Sequence, residues 1–234
     1  MRPISFSPVL TGAACFARSS SGQNCQQINH GLLALYESAL AFNTNGYVFV
    51  GADFVGGAGG VYRSTDYGDS WVETNHDMIQ TDVRALATNR SGHIFAGTYF
   101  GGGVFRSTDN GDSWTPVNNG LDCGNIWFLA INPVGTIFAG TAGCGTGVYR
   151  STDNGDSWAL ANIGLTSTDV AALAVNGSKY HVFAETHSIM GKGGGMFRST
   201  DSGDTWTEQN GGFTAFDVNR VVINPIGHIF ASMK

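Results

Sequence analysis

Apolar runs of four to six residues, separated by short stretches of Gly, Asn, Asp and Ser, follow one another along nearly the whole chain. Val83–Thr88, Ile94–Thr98, Val104–Ser107 and 114–117 form one such series, divided by Asn89-Arg90-Ser91-Gly92, Gly101-Gly102-Gly103 and Asp109-Asn110-Gly111-Asp112. Runs of this length, rich in Val, Ile, Phe and Thr and bounded by turn-formers, predict β-strands. No segment carries the sustained 3.6-residue period of an amphipathic helix. The four strands of such a series are called A to D in chain order.

The series repeats. Arg63-Ser64-Thr65-Asp66-Tyr67-Gly68-Asp69-Ser70-Trp71 recurs at 106–114, 150–158 and 198–206, changing only the residue before Gly and one Ser to Thr. Asp66, Asp109, Asp153 and Asp201 lie 43, 44 and 48 residues apart, the period of a four-stranded propeller blade. The interval from each of these to the Asn ending the next strand A is always 23, and from that Asn to the strand B Phe it is 6 or 7. From that Phe to the strand C aromatic it is 13, 10, 11 and 14, so length varies mainly in the loop from B to C.

After the fourth box the chain supplies another A and B strand and stops. Around residues 12–32, Phe16, Gly22, Asn29, Gly31 and Leu32 stand where a C and D pair belongs, with Ser20 and Cys25 replacing the box Asp and Trp. The predicted fold is therefore a single all-β domain, a five-bladed β-propeller with blades at about 37–76, 77–119, 120–164 and 165–211. Its fifth blade is assembled from C-terminal A and B strands (212–234) and N-terminal C and D strands (12–32). Closure of this kind removes exposed sheet faces.

The S-T-D-x-G-D-[ST]-W segments resemble the Asp-box, or bacterial neuraminidase repeat, of sialidases, xyloglucan-degrading glycosidases, sortilin-type receptors and photosystem II assembly factors. The resemblance covers about residues 37–234 and implies a propeller whose boxes form the C to D turns, on the face away from any ligand. It implies a structural role for Asp66, Gly68, Trp71, Asp109, Gly111, Trp114, Asp153, Gly155, Trp158, Asp201, Gly203 and Trp206. The chemistry agrees: Asp accepts turn N–H groups, Gly takes positive φ and Trp packs beneath. The families that share this blade do not share one activity. The sialidase Arg-Ile-Pro motif, Arg triad and Tyr-Glu pair have no counterpart here.

Composition narrows the functions. A net charge of −6 disfavours a nucleic-acid binder that tracks phosphates. No apolar run reaches the roughly 18 residues of a membrane helix. No Gly-rich stretch follows a strand and opens a helix, so no cofactor is expected. His93, His181 and His228 share one repeat position on separate blades and read as turn residues, so no metal is expected either.

Candidate chemistry collects at the opposite end from the boxes. Near the start of strand A lie Tyr36, Asp82, Asn125, Asp169 and Asp217; two positions on come Ser38, Arg84, Trp127, Ala171 and Asn219. Around them stand Asp53 and Phe54, Tyr99 and Phe100, Cys144 and 187–192, and Glu185 replaces the Gly of three other units. Trp127, Arg84, Tyr99, Phe100, Asp82, Asp169, Asp217 and Asn219 make a candidate ligand site, suited to a glycan or a peptide by stacking and directed polar contacts. Asp82, Asp169, Asp217 and Glu185 are the catalytic candidates if the protein is instead a glycosidase, which needs two carboxylates about 5 to 9.5 Å apart. An assembly scaffold or a propeller fragment without activity is the third reading.

Loop placement pairs Cys123 with Cys144 as a disulfide, and Cys15 with Cys25 as a second. Bridged cysteines imply an extracellular or periplasmic location. Residues 1–15 are interrupted by Pro3 and Pro8 and do not read as a signal peptide. The expected assembly is a monomer or a strand-swapped homo-oligomer.

Overall fold

The computed structural model describes residues 17–18, 26–27, 30–32, 37–54, 59–177, 181–187, 194–211, 218–224 and 228–233. All regular structure among them is β. A short hairpin pairs β1 (Ala17–Arg18) with β2 (Gln26–Gln27). Four antiparallel four-stranded sheets follow. The first holds β3 (Glu37–Phe42), β4 (Val48–Ala52), β5 (Gly60–Ser64) and β6 (Val72–Glu73); the second β7 (Val83–Thr88), β8 (Ile94–Thr98), β9 (Val104–Ser107) and β10 (Thr115–Pro116). The third holds β11 (Ile126–Ile131), β12 (Ile137–Thr141), β13 (Val148–Ser151) and β14 (Ala159–Leu160); the fourth β15 (Asp169–Val175), β16 (Val182–His187), β17 (Gly195–Ser199) and β18 (Thr207–Glu208). A last pair is β19 (Val218–Ile223) and β20 (Ile229–Met233).

Each sheet is a meander with strand A at one edge and strand D at the other. The A strands β3, β7, β11, β15 and β19 pack side by side in chain order, the arrangement of propeller blades. Strands B are covered on both faces and so read as unbroken apolar runs; β4, β8 and β12 are buried throughout. Strands D are exposed two-residue edges, and the one in the second sheet ends in Pro116, which blunts it against further pairing.

The box explains why neighbouring sheets stay together. Within each turn Ser107 Oγ donates to Asp109 and accepts the Gly111 N–H, while the other Asp109 oxygen takes the Ser113 hydroxyl. The same bonds recur around Asp66, Asp153 and Asp201. The tryptophan does more than pack beneath its own turn. Trp114, Trp158 and Trp206 donate their indole N–H to carbonyls of the preceding sheet, at Thr74 (2.7 Å), Val117 (2.8 Å) and Ala161 (2.7 Å). In the other direction Arg63, Arg106 and Arg150 donate to a backbone carbonyl and an aspartate of the following box, Asp112, Asp156 and Asp204. The strand B phenylalanines Phe49, Phe95 and Phe138 complete the joint, lying against Gly111, Gly155 and Gly203 of the next box.

Among the described residues the expected closing blade does not appear as one sheet. Among the described residues β1–β2 and β19–β20 are separate two-stranded sheets. The β1–β2 register also departs from the box rule: Arg18 faces Gln26, whereas the repeat frame places Ala17 there, as Arg63 faces Val72. The segment that follows does dock as the frame predicts. The Trp71 N–H reaches the His30 carbonyl at 2.9 Å, matching Trp158 to Asn119 and Trp206 to Ile163. Phe230, the β20 counterpart of Phe49, Phe95 and Phe138, is 56% exposed while those three are fully buried.

Hydroxyl and amide donors hold the box carboxylates ionised. Ser70 pulls Asp66, and Thr205 pulls Asp201, down to about 2 from 3.8. At Asp109 burial opposes the shift, but donation from Ser113 and Ser107 outweighs it and the net direction is again down. A carboxylate whose folded pKa lies below its unfolded value stabilises fully above the unfolded value, and that contribution disappears as pH falls through the folded one. Melting temperature should therefore stay level near neutrality and fall between about pH 4 and pH 2. Scanning calorimetry across that range should show the fall reduced in Asp201→Asn.

Candidate functional site

Every strand A is broken at the same point. Register shifts fall between Glu37 and Ala39, Val83 and Ala85, Ile126 and Phe128, Val170 and Ala172, and Val218 and Arg220. The skipped residues are Ser38, Arg84, Trp127, Ala171 and Asn219, the five variable positions. A bulged residue is unpaired in the ladder and re-aims its side chain. It can therefore change chemistry without disturbing the sheet. Position 38 uses this locally, since the Ser38 hydroxyl donates to the Val83 carbonyl of the next sheet.

Arg84 is clasped by two carboxylates. Its Nε and Nη2 reach Asp82 Oδ1 and Oδ2 at 2.6 and 3.2 Å, and its Nη1 reaches Asp53 Oδ2 at 2.7 Å. The side chains of Arg84, Asp53 and Asp82 are 20%, 18% and 3% exposed. Burial pushes the Asp53 carboxyl above its ordinary value, and the Arg84 charge opposes that shift. The guanidinium carbon also lies 5.4 Å from the Tyr99 ring centre and 5.0 Å from that of Trp127, within cation–π range. Tyr99 and Trp127 meet edge to face at 5.3 Å, and Phe100 lies 4.4 Å from Tyr99. Trp127 is held by these rings rather than by its Nε1, which is buried without a hydrogen-bond partner among the described residues.

The structure thus brings together Asp82, Arg84, Tyr99, Phe100 and Trp127. Asp169 sits apart, accepting the Gly143 N–H at 3.2 Å and lying 3.7 Å from His187. Glu185, the fourth catalytic candidate, is fully buried. Its glycine counterparts show why the place is closed: a Cβ on Gly51, Gly97 or Gly140 would lie 2.6 to 2.7 Å from Val83, Ile126 or Val170 of the next sheet. Asp217 lies outside the described residues, as do Tyr36 and 188–193; Asn219 occupies a bulge in β19, its side chain outside the description.

Cys123 and Cys144 form a disulfide joining the two loops flanking the third sheet's inner strands, with Cα atoms 6.2 Å apart. Cys15 and Cys25 are outside the described residues. Two features escape sequence reasoning. Asp53 was visible only as a loop residue, because nothing in its spacing pairs it with Arg84, 31 positions away. A shallow cleft of about 340 Å³ also opens at the box end, lined by Thr88, Asn89, Arg90, Ile131, Pro133 and Val134 among others. Among the described residues its lining includes no acid, and Arg90 is its one charged group.

Among the described residues no group of three or more His, Cys, Asp or Glu is placed to hold a metal ion. Among the described residues no helix is long and apolar enough to cross a membrane.

A scan of protein-family models and a search of curated proteins returned no match. Solved structures do match. An ancestral GH74 enzyme superposes with a TM-score of 0.67 at 22% identity, over 88% of this chain and 28% of its own. The GH74 xyloglucanase of Xanthomonas campestris gives 0.60 at 17% identity, over 82% and 34%. YCF48 bound to D1 peptide gives 0.54 at 19% identity, over 80% and 58%. At these identities the likeness establishes a propeller-type fold, and the chain spans less than two thirds of each of these proteins.

Arg84→Ala should destabilise by about 3 kcal/mol, because it leaves Asp82 charged and enclosed without its partner. Urea unfolding should show the loss, and Arg84→Lys should recover only part of it because a single ammonium cannot replace the fork. Reducing the disulfide reopens a loop of sequence separation 21 and should cost about 3 kcal/mol on the chain-entropy account. Melts with and without a phosphine reductant, using Cys123→Ser as the control, check this.

Proposed function

We propose that the chain is an Asp-box β-propeller that binds a glycan without turning it over, at the end opposite the boxes. The single observation behind this reading is the aromatic group Tyr99, Phe100 and Trp127, two of whose rings lie over a guanidinium that two carboxylates already pair. Stacked rings with polar groups beside them suit the face of a sugar. Turnover is disfavoured because Asp82 is enclosed against Arg84 and Glu185 is fully buried. Neither is therefore placed to flank a scissile glycosidic bond as one of a pair of carboxylates. Similarity to a xyloglucanase supports the glycan reading. The peptide-bound neighbour supports a second, in which the same rings receive a peptide.

The finer architecture belongs to the same proposal. Five blades result if β20 takes β1 as its next strand, which would cover Phe230 with a box turn as Phe49, Phe95 and Phe138 are covered. The Cys123–Cys144 bridge favours an oxidising, extracellular or periplasmic location.

A glycan array with wild type and Trp127→Ala, followed by a chromogenic glycoside screen, tests the function. The expected result is selective binding lost in the variant, with circular dichroism unchanged and no glycoside cleaved. Cleavage abolished by Asp169→Asn would replace the proposal with a hydrolase, and binding to peptides alone would replace it with the second reading.

A further inference from the structure

The loop from Thr98 to Gly103 is fixed from several sides. The Thr98 N–H donates to the Gly103 carbonyl, Tyr99 N–H to Asp82, Gly101 N–H to Asn125 Oδ1 and Gly103 N–H to Gly124, while Asn118 Nδ2 donates to the Gly102 carbonyl. Within this frame Phe100 is held at φ 55°, in the left-handed region, with 69% of its surface exposed. A bulky residue there is strained, and strain of this kind persists only where its surroundings enforce it. The ring gains little burial in return. It rests on Tyr99, which rests in turn on Trp127 and Arg84.

We infer that Phe100 is a preorganised stacking platform for a neutral pyranose of an oligosaccharide, and that the fold gives up stability to present it. This deepens the glycan reading and rests on it. Charge selects the ligand class. Asp82 and Asp53 engage Arg84 at Nε and both terminal nitrogens, so little of its charge remains for a ligand carboxylate or phosphate. Both carboxylates pair with Arg84 and are largely enclosed, Asp53 Oδ1 being buried without a hydrogen-bond partner among the described residues, so they do not present themselves to an ammonium. Two acids against one base leave a local negative excess that repels acidic sugars. An uncharged ring face laid on Phe100, with Asn125 on the adjoining loop beside it, is what the surface accepts.

Tyr67 provides an internal control. It is also an aromatic residue at positive φ, 62°, and 73% exposed, but it lies in a box turn at the other end. Isothermal titration with cellohexaose, xylohexaose and mannohexaose, and with a polygalacturonate hexamer as the acidic probe, should be run on wild type, Phe100→Gly, Phe100→Tyr and Tyr67→Asn. We expect a neutral hexamer to bind and the acidic one not to. Phe100→Gly should weaken binding about ten-fold or more while raising Tm by about 2 to 4 °C, the response of a domain this size to relief of roughly 1 kcal/mol. Phe100→Tyr should keep both wild-type values, and Tyr67→Asn should raise Tm without altering binding. Unweakened binding by Phe100→Gly, a lowered Tm in that variant, or preference for the acidic hexamer overturns the inference. If binding is lost in Trp127→Ala but kept in Phe100→Gly, the glycan reading stands and this one falls. If wild type binds none of the probes, both fall.

Discussion

Each sheet is finished by its neighbour. An indole N–H from one box reaches back to a carbonyl of the preceding sheet, and an arginine from that sheet reaches forward to the box, with a phenylalanine filling the space between. The indole bonds are buried and costly if left unmade, while each arginine meets an aspartate that stays largely exposed and adds less. No single sheet could bury strand B on both faces. The stack exists because the joint repeats, and it explains why the box tolerates so little change along the chain. Asn132 shows the cost of a small departure. Asn43 and Asn89 donate to Asn110 and Asn154 in the following boxes, but that place in the fourth box is Ser202, and Asn132 Nδ2 is buried without a partner.

Fixing one end of the sheets frees the other. The bulge in every strand A releases one side chain from the ladder, and the loops from B to C run outside the inter-sheet joint. Chemistry can therefore differ from blade to blade there at little cost to the frame. In the second and third sheets it has become an ion-paired arginine between two aromatic rings; in the first, a serine that ties two sheets; in the fourth, an alanine. The second sheet has the shortest B to C loop, and that brings Tyr99 within reach of both Arg84 and Trp127.

The same geometry separates candidates that look alike in one dimension. Asp82 and Asp169 occupy equivalent places at the start of strand A. Asp82 meets a bulged arginine and is enclosed. Asp169 has an alanine at its bulge and faces a glycine amide and a histidine instead. Glu185 replaces a glycine that in three other sheets lies close against the next sheet, and it is buried there.

The sequence alone determined the all-β class, the four repeated sheets and the bounds of the first three strands of the second sheet, whereas strand D, expected over 114–117, is only Thr115–Pro116; each follows from local periodicity and from turn residues whose backbone demands are their own. It also paired Cys123 with Cys144 by loop position, and the structure contains that bridge. Tertiary structure decided the rest. The bulges, the Asp53–Arg84 contact, the reach of each box tryptophan into the preceding sheet, the left-handed Phe100 and the burial of Glu185 all depend on which side chains meet across sheets. The Asp53–Arg84 contact joins residues 31 positions apart and the box-tryptophan bonds 40 to 45, and no local pattern encodes them. The separation of β1–β2 from β19–β20 has the same origin. Matching spacing can show that two half-blades are complementary, but pairing them is a question of how the ends of the whole array meet in space.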